Sequence, residues 1–379
     1  MNRKIALFHP WIKSRGGAEK VVLELSKLKG YDVDIYTWVY DSDNTFEEFK
    51  ELNVKVIGPM FMKKHSRGFI SRGLFLFSSF FSKIPLKRYD LFFISTSGVG
   101  EFITFRNYKK GKTYAYCHTP LRAASDDVYS WQLKNRNFSF IKKILYITAV
   151  KFYNLLEKIA WKKLDYIIFN SNLSKQRAVD KNILRKDAKV SVIFPPLNLE
   201  KFKNNKLKRK KYFIYVSRLN WDKRQDLVLD SWEKFYKKNK NFKLILIGGI
   251  EDLKYFNILN NKIKTLKDVE IKKNLPFDEI IKLYKNSFCG LFLGYKEDFG
   301  IVPFEVLASN RPLITVNEGG YVDLIKNNEN VFFIKESNNK TKMIKELSDV
   351  MNKITKIKLK KQSLKLEDNF LEKIVEVLK

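Results

Sequence analysis

The chain has 379 residues, of which 45% are hydrophobic and 15% are aromatic. This length exceeds one ordinary core and favours two domains of about two hundred residues each, and the composition excludes extended disorder. Lysine and arginine (73) outnumber aspartate and glutamate (41), which gives a formal net charge of +32 at pH 7. Such an excess predicts an anionic partner, which could be nucleic acid, an anionic membrane face or a phosphorylated small molecule.

The chain has only two cysteines, Cys117 and Cys289, and neither belongs to a metal-binding pattern. A secreted disulfide scaffold is therefore not expected, and a reducing compartment fits better. The apolar part of residues 1–8 is too short for a signal peptide, so the sequence predicts no export signal. We therefore expect a cytoplasmic protein.

The first half alternates short apolar runs with segments of helical period. Strands are predicted at residues 5–9, 33–39, 91–95, 113–117 and 166–170, with a helix at 18–29. This alternation is typical of a parallel sheet wrapped by helices, which is an α/β architecture.

Two segments of this half, residues 69–86 and 138–161, come nearest to membrane spans, but basic residues and, in the second, Glu157 interrupt both. A span needs about 20 nearly uncharged residues, so neither is predicted to cross a bilayer. Each could be an amphipathic helix lying on a membrane surface, or an ordinary helix packed on the sheet.

The second half repeats the α/β pattern and predicts a second domain of the same class. Its strands are predicted at residues 212–216, 243–247, 269–272, 289–293, 313–315 and 331–334. Pro195 and Pro196, followed by residues 201–211 with seven basic residues of eleven, indicate a linker. An amphipathic stretch at 366–378 predicts a closing helix, and the predicted domains are residues 1–196 and 197–379.

A pair of glutamates stands in the segment 297–305, Glu-Asp-Phe-Gly-Ile-Val-Pro-Phe-Glu. Glu297 follows the strand 289–293 and is predicted at the carboxyl edge of a parallel sheet, where open α/β folds bind ligands. Glu305 is predicted one or two turns into the next helix, and Gly300 permits a close backbone approach to a ligand. Carboxylates bind hydroxyl-rich ligands well, although an isolated pair would merely cap and decorate a helix.

Three other segments carry candidate site residues. Arg218 and Lys223, five residues apart, follow the first strand of the second half, and His118 follows the strand 113–117. Gly16 and Gly17 connect the first strand to the first helix, where glycines let backbone amides approach an anionic ligand.

The spacing within 297–305, a glutamate, then Phe-Gly, Pro and a second glutamate after seven residues, resembles the signature of the family 4 retaining glycosyltransferases. The resemblance implies the GT-B fold, two facing Rossmann-like domains with the active site between them and a C-terminal helix closing back on the N-terminal domain. It implies that Glu305 binds the donor's ribose and that Glu297 contacts the transferred sugar. The amides near Phe299, Gly300 and Ile301 would meet the donor as well.

The resemblance extends to the other segments. It implies that Arg218 and Lys223 reach the donor diphosphate, where two cations would neutralise the leaving group's charge in place of a metal. The segment around His118 is similar to the His-Thr-Pro stretch of a mannosyltransferase-rich branch, in which it lies against the donor sugar. Asp126 falls near an acidic position of that branch and is predicted on the acceptor side.

Two further features are part of this resemblance. The loop with Gly16 and Gly17 resembles the family's Gly-Gly loop, which approaches the diphosphate or the acceptor. Asp323, in the turn 319–323, stands where the family usually has glutamate.

Together these features predict a retaining, metal-independent hexosyltransferase that moves mannose from GDP-mannose onto a glycan or a polyprenyl-linked glycan. No cofactor is expected beside the nucleotide-sugar donor. No metal site is expected either, because the Asp-x-Asp triplets at 32–34 and 41–43 lack accompanying ligands. The enzyme is predicted to be peripheral at the inner face of the cell membrane, with an anionic membrane surface as a partner.

Alternatives from the same residues are a UDP-hexose transferase of the glucose type, an epimerase or synthase with the GT-B fold, and a basic nucleic-acid-binding protein. The sequence contains no zinc pattern, no RNA-recognition strand motif and no helix-turn-helix spacing. Nucleic acid is therefore not expected as a partner.

Overall fold

The structure, a computed structural model, describes residues 2–59, 69–125, 129–130, 133, 138–204, 209–357, 364 and 369–379. The chain divides into two units, Met1–Pro196 together with Asn369–Lys379, and Leu197–Asp368. The division at Pro196 coincides with the start of the linker that the sequence indicates.

The N-terminal unit contains a sheet of seven strands in the order β3-β2-β1-β4-β5-β6-β7, and every pairing is parallel. The strands are β1 (Arg3–Ile12), β2 (Tyr31–Tyr40), β3 (Val54–Val56), β4 (Leu91–Thr96), β5 (Thr113–Cys117), β6 (Tyr166–Phe169) and β7 (Lys189–Val192). The helices before the linker are α1 (Gly17–Leu25), α2 (Phe69–Phe81), α3 (Phe140–Trp161) and α4 (Asn172–Asp180).

The central strand β1 shows why this half forms a sheet that is covered on both faces. Ile5 and Leu7 lie in one buried apolar cluster, whereas Ala6 and Phe8 lie in another. Successive side chains of a strand point to opposite faces, so a continuous apolar run is buried on both sides.

The C-terminal unit contains a parallel sheet of six strands in the order β10-β9-β8-β11-β12-β13. The strands are β8 (Tyr212–Val216), β9 (Lys243–Ile247), β10 (Val269–Lys272), β11 (Cys289–Phe292), β12 (Leu313–Val316) and β13 (Val331–Ile334). The helices are α5 (Gln225–Tyr236), α6 (Leu253–Ile263), α7 (Phe277–Asn286), α8 (Val302–Ala308), α9 (Val322–Ile325) and α10 (Lys340–Ile354).

The last helix, α11 (Phe370–Leu378), belongs to the N-terminal unit although it ends the chain. Phe370, Ile374 and Leu378 share one helical face and are buried in the same cluster as Ile5 and Leu7. The return of a C-terminal helix to the N-terminal domain is confirmed.

Two strands were not predicted, and both lie at the edges of the N-terminal sheet. β3 (Val-Lys-Val) and β7 (Lys-Val-Ser-Val) are short and only partly buried. Edge strands of this kind lack the apolar run that marks a buried strand, because one side faces solvent.

The helices are shorter than the sequence patterns suggest. α1 ends at Leu25, before Gly30 at φ +83°, and α2 ends at Phe81, before Pro85, which disfavours helical backbone at the residue preceding it. Within the described ranges, no helix combines the length and the apolar character that crossing a membrane requires.

Candidate active site

The strand order of the C-terminal sheet reverses between β8 and β11, which are neighbours. From β8 the chain continues outward through β9 and β10, and from β11 it continues the other way. Ligands of open α/β sheets bind beyond the carboxyl ends of strands at such a switch point. The loop after β8 carries Lys223, and the loop after β11 carries Glu297.

Lys223 and Glu297 form an ion pair between these two loops. The Lys223 Nζ contacts Glu297 Oε2, and the two side chains are 6% and 20% exposed. The Tyr215 hydroxyl donates to the Lys223 carbonyl oxygen (2.5 Å) and accepts from the Leu293 backbone N–H (3.0 Å). Tyr215 therefore links the two loops at their bases and holds the ion pair in place.

Backbone contacts hold the loop of Glu297. The Tyr295 N–H donates to the Asp222 carbonyl oxygen, and the Gly320 N–H donates to the Glu297 carbonyl oxygen, each at 2.8 Å. Gly300 adopts φ +76°, and a Cβ atom there would lie 2.9 Å from the Tyr321 ring. Only glycine fits this position without strain, as expected for a loop that must approach a ligand closely.

Glu305 lies in the first turn of α8, and Pro303 occupies a position near the helix start that suits proline. The Glu305 Oε2 accepts a hydrogen bond from the Tyr284 hydroxyl at 3.0 Å. The helix lies close against β11 because Gly290 has no side chain, and a Cβ there would lie 2.4 Å from Val306 Cγ2. A glycine in the strand thus positions the helix that carries Glu305.

Arg218 does not contact Lys223 or Glu297. Its guanidinium is paired with Glu251 at 2.8 Å, and the two side chains are 65% and 44% exposed. The two predicted diphosphate-binding cations are therefore paired with different carboxylates. The Lys223–Glu297 pair is largely buried, whereas the Arg218–Glu251 pair lies at the surface.

In the N-terminal sheet the strand order reverses between β1 and β4. Ser95 of β4 lies between two histidines, with its Oγ 3.0 Å from His9 Nδ1 and 2.9 Å from His118 Nε2. His9 Nδ1 also lies 3.3 Å from the Ser95 carbonyl oxygen, which can only accept, so we assign the proton to this nitrogen. Ser95 Oγ then accepts from His9 and donates to His118 Nε2, which leaves an N–H on His118 Nδ1.

Both histidines are neutral at physiological pH. Burial, with a contribution from His9, lowers the pKa of His118 to about 3, and burial lowers the pKa of His9 to about 4. Desolvation disfavours the charged imidazolium because the interior does not replace the lost hydration. His118 can therefore offer a neutral N–H donor at the carboxyl end of β5.

Gly16 and Gly17 lie where β1 leads into α1, and Gly17 is the first residue of that helix. A Cβ at Gly16 would lie 2.5 Å from Glu19 Oε2. Glu19 is buried, accepts from the Ser14 hydroxyl at 2.6 Å, and has its pKa raised by burial. The glycine pair therefore allows a tight turn closed by Glu19, next to the switch point of this sheet.

Residues 198–365 match the family model described as "Glycosyl transferases group 1", which spans nearly all of the C-terminal unit. Residues 198–365 therefore carry a group 1 glycosyltransferase domain. The match includes Arg218, Lys223, Glu297 and Glu305, so the predicted family and enzyme class are confirmed.

Curated relatives resemble this glycosyltransferase over most of its length. Alpha-1,3/1,6-mannosyltransferase ALG2 of Kluyveromyces lactis is 25% identical over 85% of this chain and 71% of its own. A human protein named GDP-Man:Man(3)GlcNAc(2)-PP-Dol alpha-1,2-mannosyltransferase is 24% identical over 83% of this chain and 73% of its own.

Solved structures share the fold. Sucrose-phosphate synthase from Thermosynechococcus elongatus has a TM-score of 0.67 at 16% identity and covers 93% of this chain and 91% of its own. WaaG, a glycosyltransferase involved in lipopolysaccharide biosynthesis, has a TM-score of 0.64 at 14% identity and covers 99% of both chains. The predicted GT-B fold is confirmed.

Asp126, Asp323 and Phe299 complete the set of residues that the sequence predicted. Asp126 lies outside the described residues. Asp323 is 44% exposed and lies 4.0 Å from the Lys326 ammonium. Phe299 is buried and stacks on Phe304 at 5.2 Å, so its ring belongs to the core and only its backbone remains for a ligand.

His9 and Arg224 were not predicted as site residues from the sequence. His9 ends the predicted strand 5–9, which is the only local sign that it stands near a sheet edge. The Arg224 guanidinium binds both Glu336 carboxylate oxygens, at 2.6 and 2.7 Å, and lies 4.6 Å from the Tyr295 ring. Glu336 is 112 residues away, and no local pattern indicates such a partner.

No group of three or more His, Cys, Asp or Glu side chains in the described part of the chain could hold a metal ion.

Proposed function

We propose that this glycosyltransferase transfers mannose from GDP-mannose to a lipid-linked glycan and retains the anomeric configuration of the sugar. The names of the relatives support this, because those described above are mannosyltransferases and the human one is named for a GDP-Man donor and a PP-Dol acceptor. The His-Thr-Pro segment at 118–120 supports the same donor.

The observation that carries the proposal is the Lys223–Glu297 ion pair at the switch point of the C-terminal sheet. An ammonium that is screened from water interacts more strongly with a nearby diphosphate than an exposed one does. A carboxylate has about four acceptor positions. Glu297 can thus accept from Lys223 and from sugar hydroxyls together.

The proposed reaction breaks the bond between the anomeric carbon and the diphosphate and forms a new glycosidic bond on the same face. The acceptor hydroxyl supplies the oxygen, and its proton passes to the departing phosphate oxygen, so the products are GDP and the extended glycan. Lys223 and Arg218 stabilise the negative charge that grows on the leaving group. The backbone of Gly300 and Ile301 contacts the donor.

His118 is proposed to bind a sugar hydroxyl. Because its pKa is about 3, the imidazole is neutral and donates a hydrogen bond through Nδ1 without adding charge. A neutral donor suits an uncharged hexose. The acceptor-side role of Asp126 and the donor role of Gly16 and Gly17 rest on the sequence resemblance.

Glu305 is proposed to bind the donor's ribose. The Tyr284 hydroxyl orients one carboxylate oxygen, and two neighbouring ribose hydroxyls are a suitable partner for a carboxylate. We expect Glu305→Ala to abolish GDP-mannose binding in calorimetry. Glu279→Ala removes an exposed glutamate from the first turn of α7 and serves as the control. Unchanged affinity of Glu305→Ala would remove this role.

The donor is tested by thermal protection and slow hydrolysis with a panel of nucleotide sugars. GDP-mannose should protect the enzyme and be hydrolysed, and a lipid-diphosphate-linked oligosaccharide should then accept the mannose. Protection by a UDP-hexose alone would overturn the proposed donor and favour the UDP-hexose alternative. Transfer that survives treatment with a chelator would support a metal-independent reaction, whereas loss restored by a divalent cation would contradict it.

We further propose that the enzyme works from the cytoplasm as a peripheral protein at the inner face of the cell membrane. Two features support this, the net charge of +32 and the lipid-linked acceptor in the name of the human relative. Fractionation of cells would test it, with the enzyme expected in the membrane fraction and released by high salt.

A further inference from the structure

Two helices of the N-terminal unit expose apolar side chains to solvent. In α3, seven apolar side chains are 43–79% exposed, among them Ile141, Leu145, Phe152, Leu155 and Ile159. At 100° per residue these five fall on one face of the helix. We call this face, together with Phe77, Phe80 and Phe81 of α2, the outer apolar surface; the three phenylalanines are 48–67% exposed.

The opposite face of α3 is already packed into the unit. Val150, Glu157, Ala160 and Trp161 are buried there, so the exposed apolar face is not needed for the core. An apolar stripe of this length on a soluble surface marks a binding site for an apolar partner.

The charged side chains on the exposed part of α3 have one sign. Lys151 and Lys158 lie along one border of the exposed face of α3, and Lys162 follows the helix on the same side. The only acidic residue of α3 is Glu157, which is buried and paired with Lys181. The exposed part of the helix is therefore apolar and basic, which is the composition of a helix lying in an anionic membrane interface.

Both helices pack on one turn of the N-terminal unit, the 3₁₀ turn Gly100–Phe105 that follows β4. Phe80 of α2 stacks on Phe105 at 5.0 Å, and Tyr153 of α3 contacts Phe102 at 5.3 Å. The two exposed faces are therefore attached to the same short segment, as required if they bind one surface.

This segment leads directly to the carboxyl edge of the sheet. The Tyr153 hydroxyl donates to the Gly98 carbonyl oxygen, and the His118 N–H donates to the Thr96 carbonyl oxygen at 2.9 Å. The helix that bears the outer apolar surface is thus hydrogen-bonded to the loop beside His118.

We propose that the outer apolar surface inserts into the headgroup region of an anionic lipid bilayer and holds the His118 edge of the sheet near lipid-anchored acceptors. This inference rests on the lipid-linked acceptor proposed above. A second copy of the chain is a poorer occupant, because a symmetric pairing would bring lysine-rich borders together, whereas anionic headgroups complement them.

The test is sedimentation of the full chain with vesicles of phosphatidylcholine alone or mixed with phosphatidylglycerol. The wild type should bind the anionic vesicles, and high salt should weaken binding because the lysine contribution is screened. Phe152→Ser with Leu155→Ser should weaken binding about tenfold or more, since two apolar side chains that would be buried in the lipid are lost. Leu253→Ser with Phe277→Ser, which changes exposed residues of the C-terminal unit, is the matched control and should bind like the wild type.

The proposal is overturned if the wild type does not bind anionic vesicles or if the Phe152/Leu155 variant binds as well as the wild type. Concentration-dependent dimerisation that the same substitutions abolish, without vesicle binding, would assign the surface to a second copy and also overturn it. Circular dichroism and thermal unfolding establish that the variant is folded.

Transfer assays separate this inference from the proposed function. With a short-chain, water-soluble acceptor the Phe152/Leu155 variant should transfer mannose at the wild-type rate, and with a vesicle-embedded acceptor it should lose most of its activity. If no acceptor receives mannose while vesicle binding persists, the proposed function fails and the docking surface is still supported.

Discussion

At the scale of single residues, the C-terminal site depends on a cation that is kept away from water. Lys223 is 6% exposed and is compensated by Glu297, with Asp222 Oδ2 at 3.6 Å from the same ammonium. Removing one partner of such a pair leaves the other charge without compensation in a poorly solvated place. The pair is thus both a structural contact and the proposed binding site for the leaving group.

Lys223→Met tests this arrangement. We expect kcat to fall by about a factor of 10² to 10³, the usual cost of removing one group that stabilises charge in a transition state. Lys326→Met removes a 58% exposed lysine whose nearest carboxylate is 4.0 Å away, and it should leave transfer unchanged. Steady-state kinetics with GDP-mannose compares them, and equal rates for both variants would contradict the proposed role.

Buried His9 and half-buried His118 predict a pH dependence of stability. His9 has a folded-state pKa of about 4, below the ordinary value of 6.5, so the unfolded chain binds the proton more readily. Stability is complete above pH 6.5 and is lost as the pH falls towards 4, by about 3 kcal/mol at most for this residue. His118, with a pKa of about 3, adds a loss of the same sign.

Urea unfolding at several pH values measures this effect. The free energy of unfolding of the wild type should decrease between pH 6.5 and 4, and His9→Asn should show a clearly smaller decrease because it keeps a donor near Ser95 but does not titrate. Parallel curves for the two proteins would show that His9 does not contribute.

At the scale of elements, close contact between a strand and a helix positions Glu305. Gly290 of β11 faces Val306 of α8 so closely that no side chain fits between them. The buried ion pair of Glu157 and Lys181 has a similar function in the other unit, where it joins α3 to the residue that follows α4. Burial raises the pKa of Glu157 to about 7, although Lys181 opposes the shift. In both units a local contact sets the orientation of a helix.

Gly290→Ala tests the strand-helix contact. The new Cβ would lie 2.4 Å from Val306 Cγ2, so we expect a loss of about 1–3 kcal/mol in the free energy of unfolding and weaker donor binding. Val306→Ala in the same chain should recover part of both. Gly73→Ala, in α2 with no atom within 4 Å, should be neutral or stabilising by about 1 kcal/mol. Equal effects at both glycines would refute the argument.

At the scale of the whole molecule, the chain has two sets of buried clusters. Trp232 lies in the core of the C-terminal unit, whereas Trp38 and Trp161 lie in a core of the N-terminal unit. The family match lies within the C-terminal unit, and so do the proposed donor-binding residues that it includes. A ligand that binds one folded unit stabilises that unit by mass action.

Calorimetry should therefore resolve two unfolding transitions. GDP-mannose at about a hundred times its Kd should stabilise the transition of the C-terminal unit by about 2.7 kcal/mol and shift the other much less. Trp232→Phe identifies that transition by fluorescence. Equal stabilisation of both transitions would show that the donor contacts the two units equally.

Much of the fold could be predicted from local patterns. The apolar runs at 212–216 and 243–247 became strands with the predicted bounds, because each is buried on both faces of a parallel sheet. The run at 331–334 also kept its predicted bounds, although it forms a partly buried edge strand. The edge strands β3 and β7 could not be predicted in this way, since they are half-solvated and have no apolar run. Helix ends were also set by features beyond periodicity, such as the proline after α2.

The candidate site likewise has features that local sequence patterns predict and features that they do not. The sequence by itself determined the residue types and their places, with Lys223, Glu297 and His118 after strands and Glu305 in a helix, because turn glycines and apolar runs are local properties. Only the tertiary structure decided the partners, such as Lys223 with Glu297 and His118 with Ser95 and His9. The physical reason is that strand order in a parallel sheet is set by packing between segments far apart in the chain. It brings loops 74 residues apart into contact, and no local pattern records that pairing.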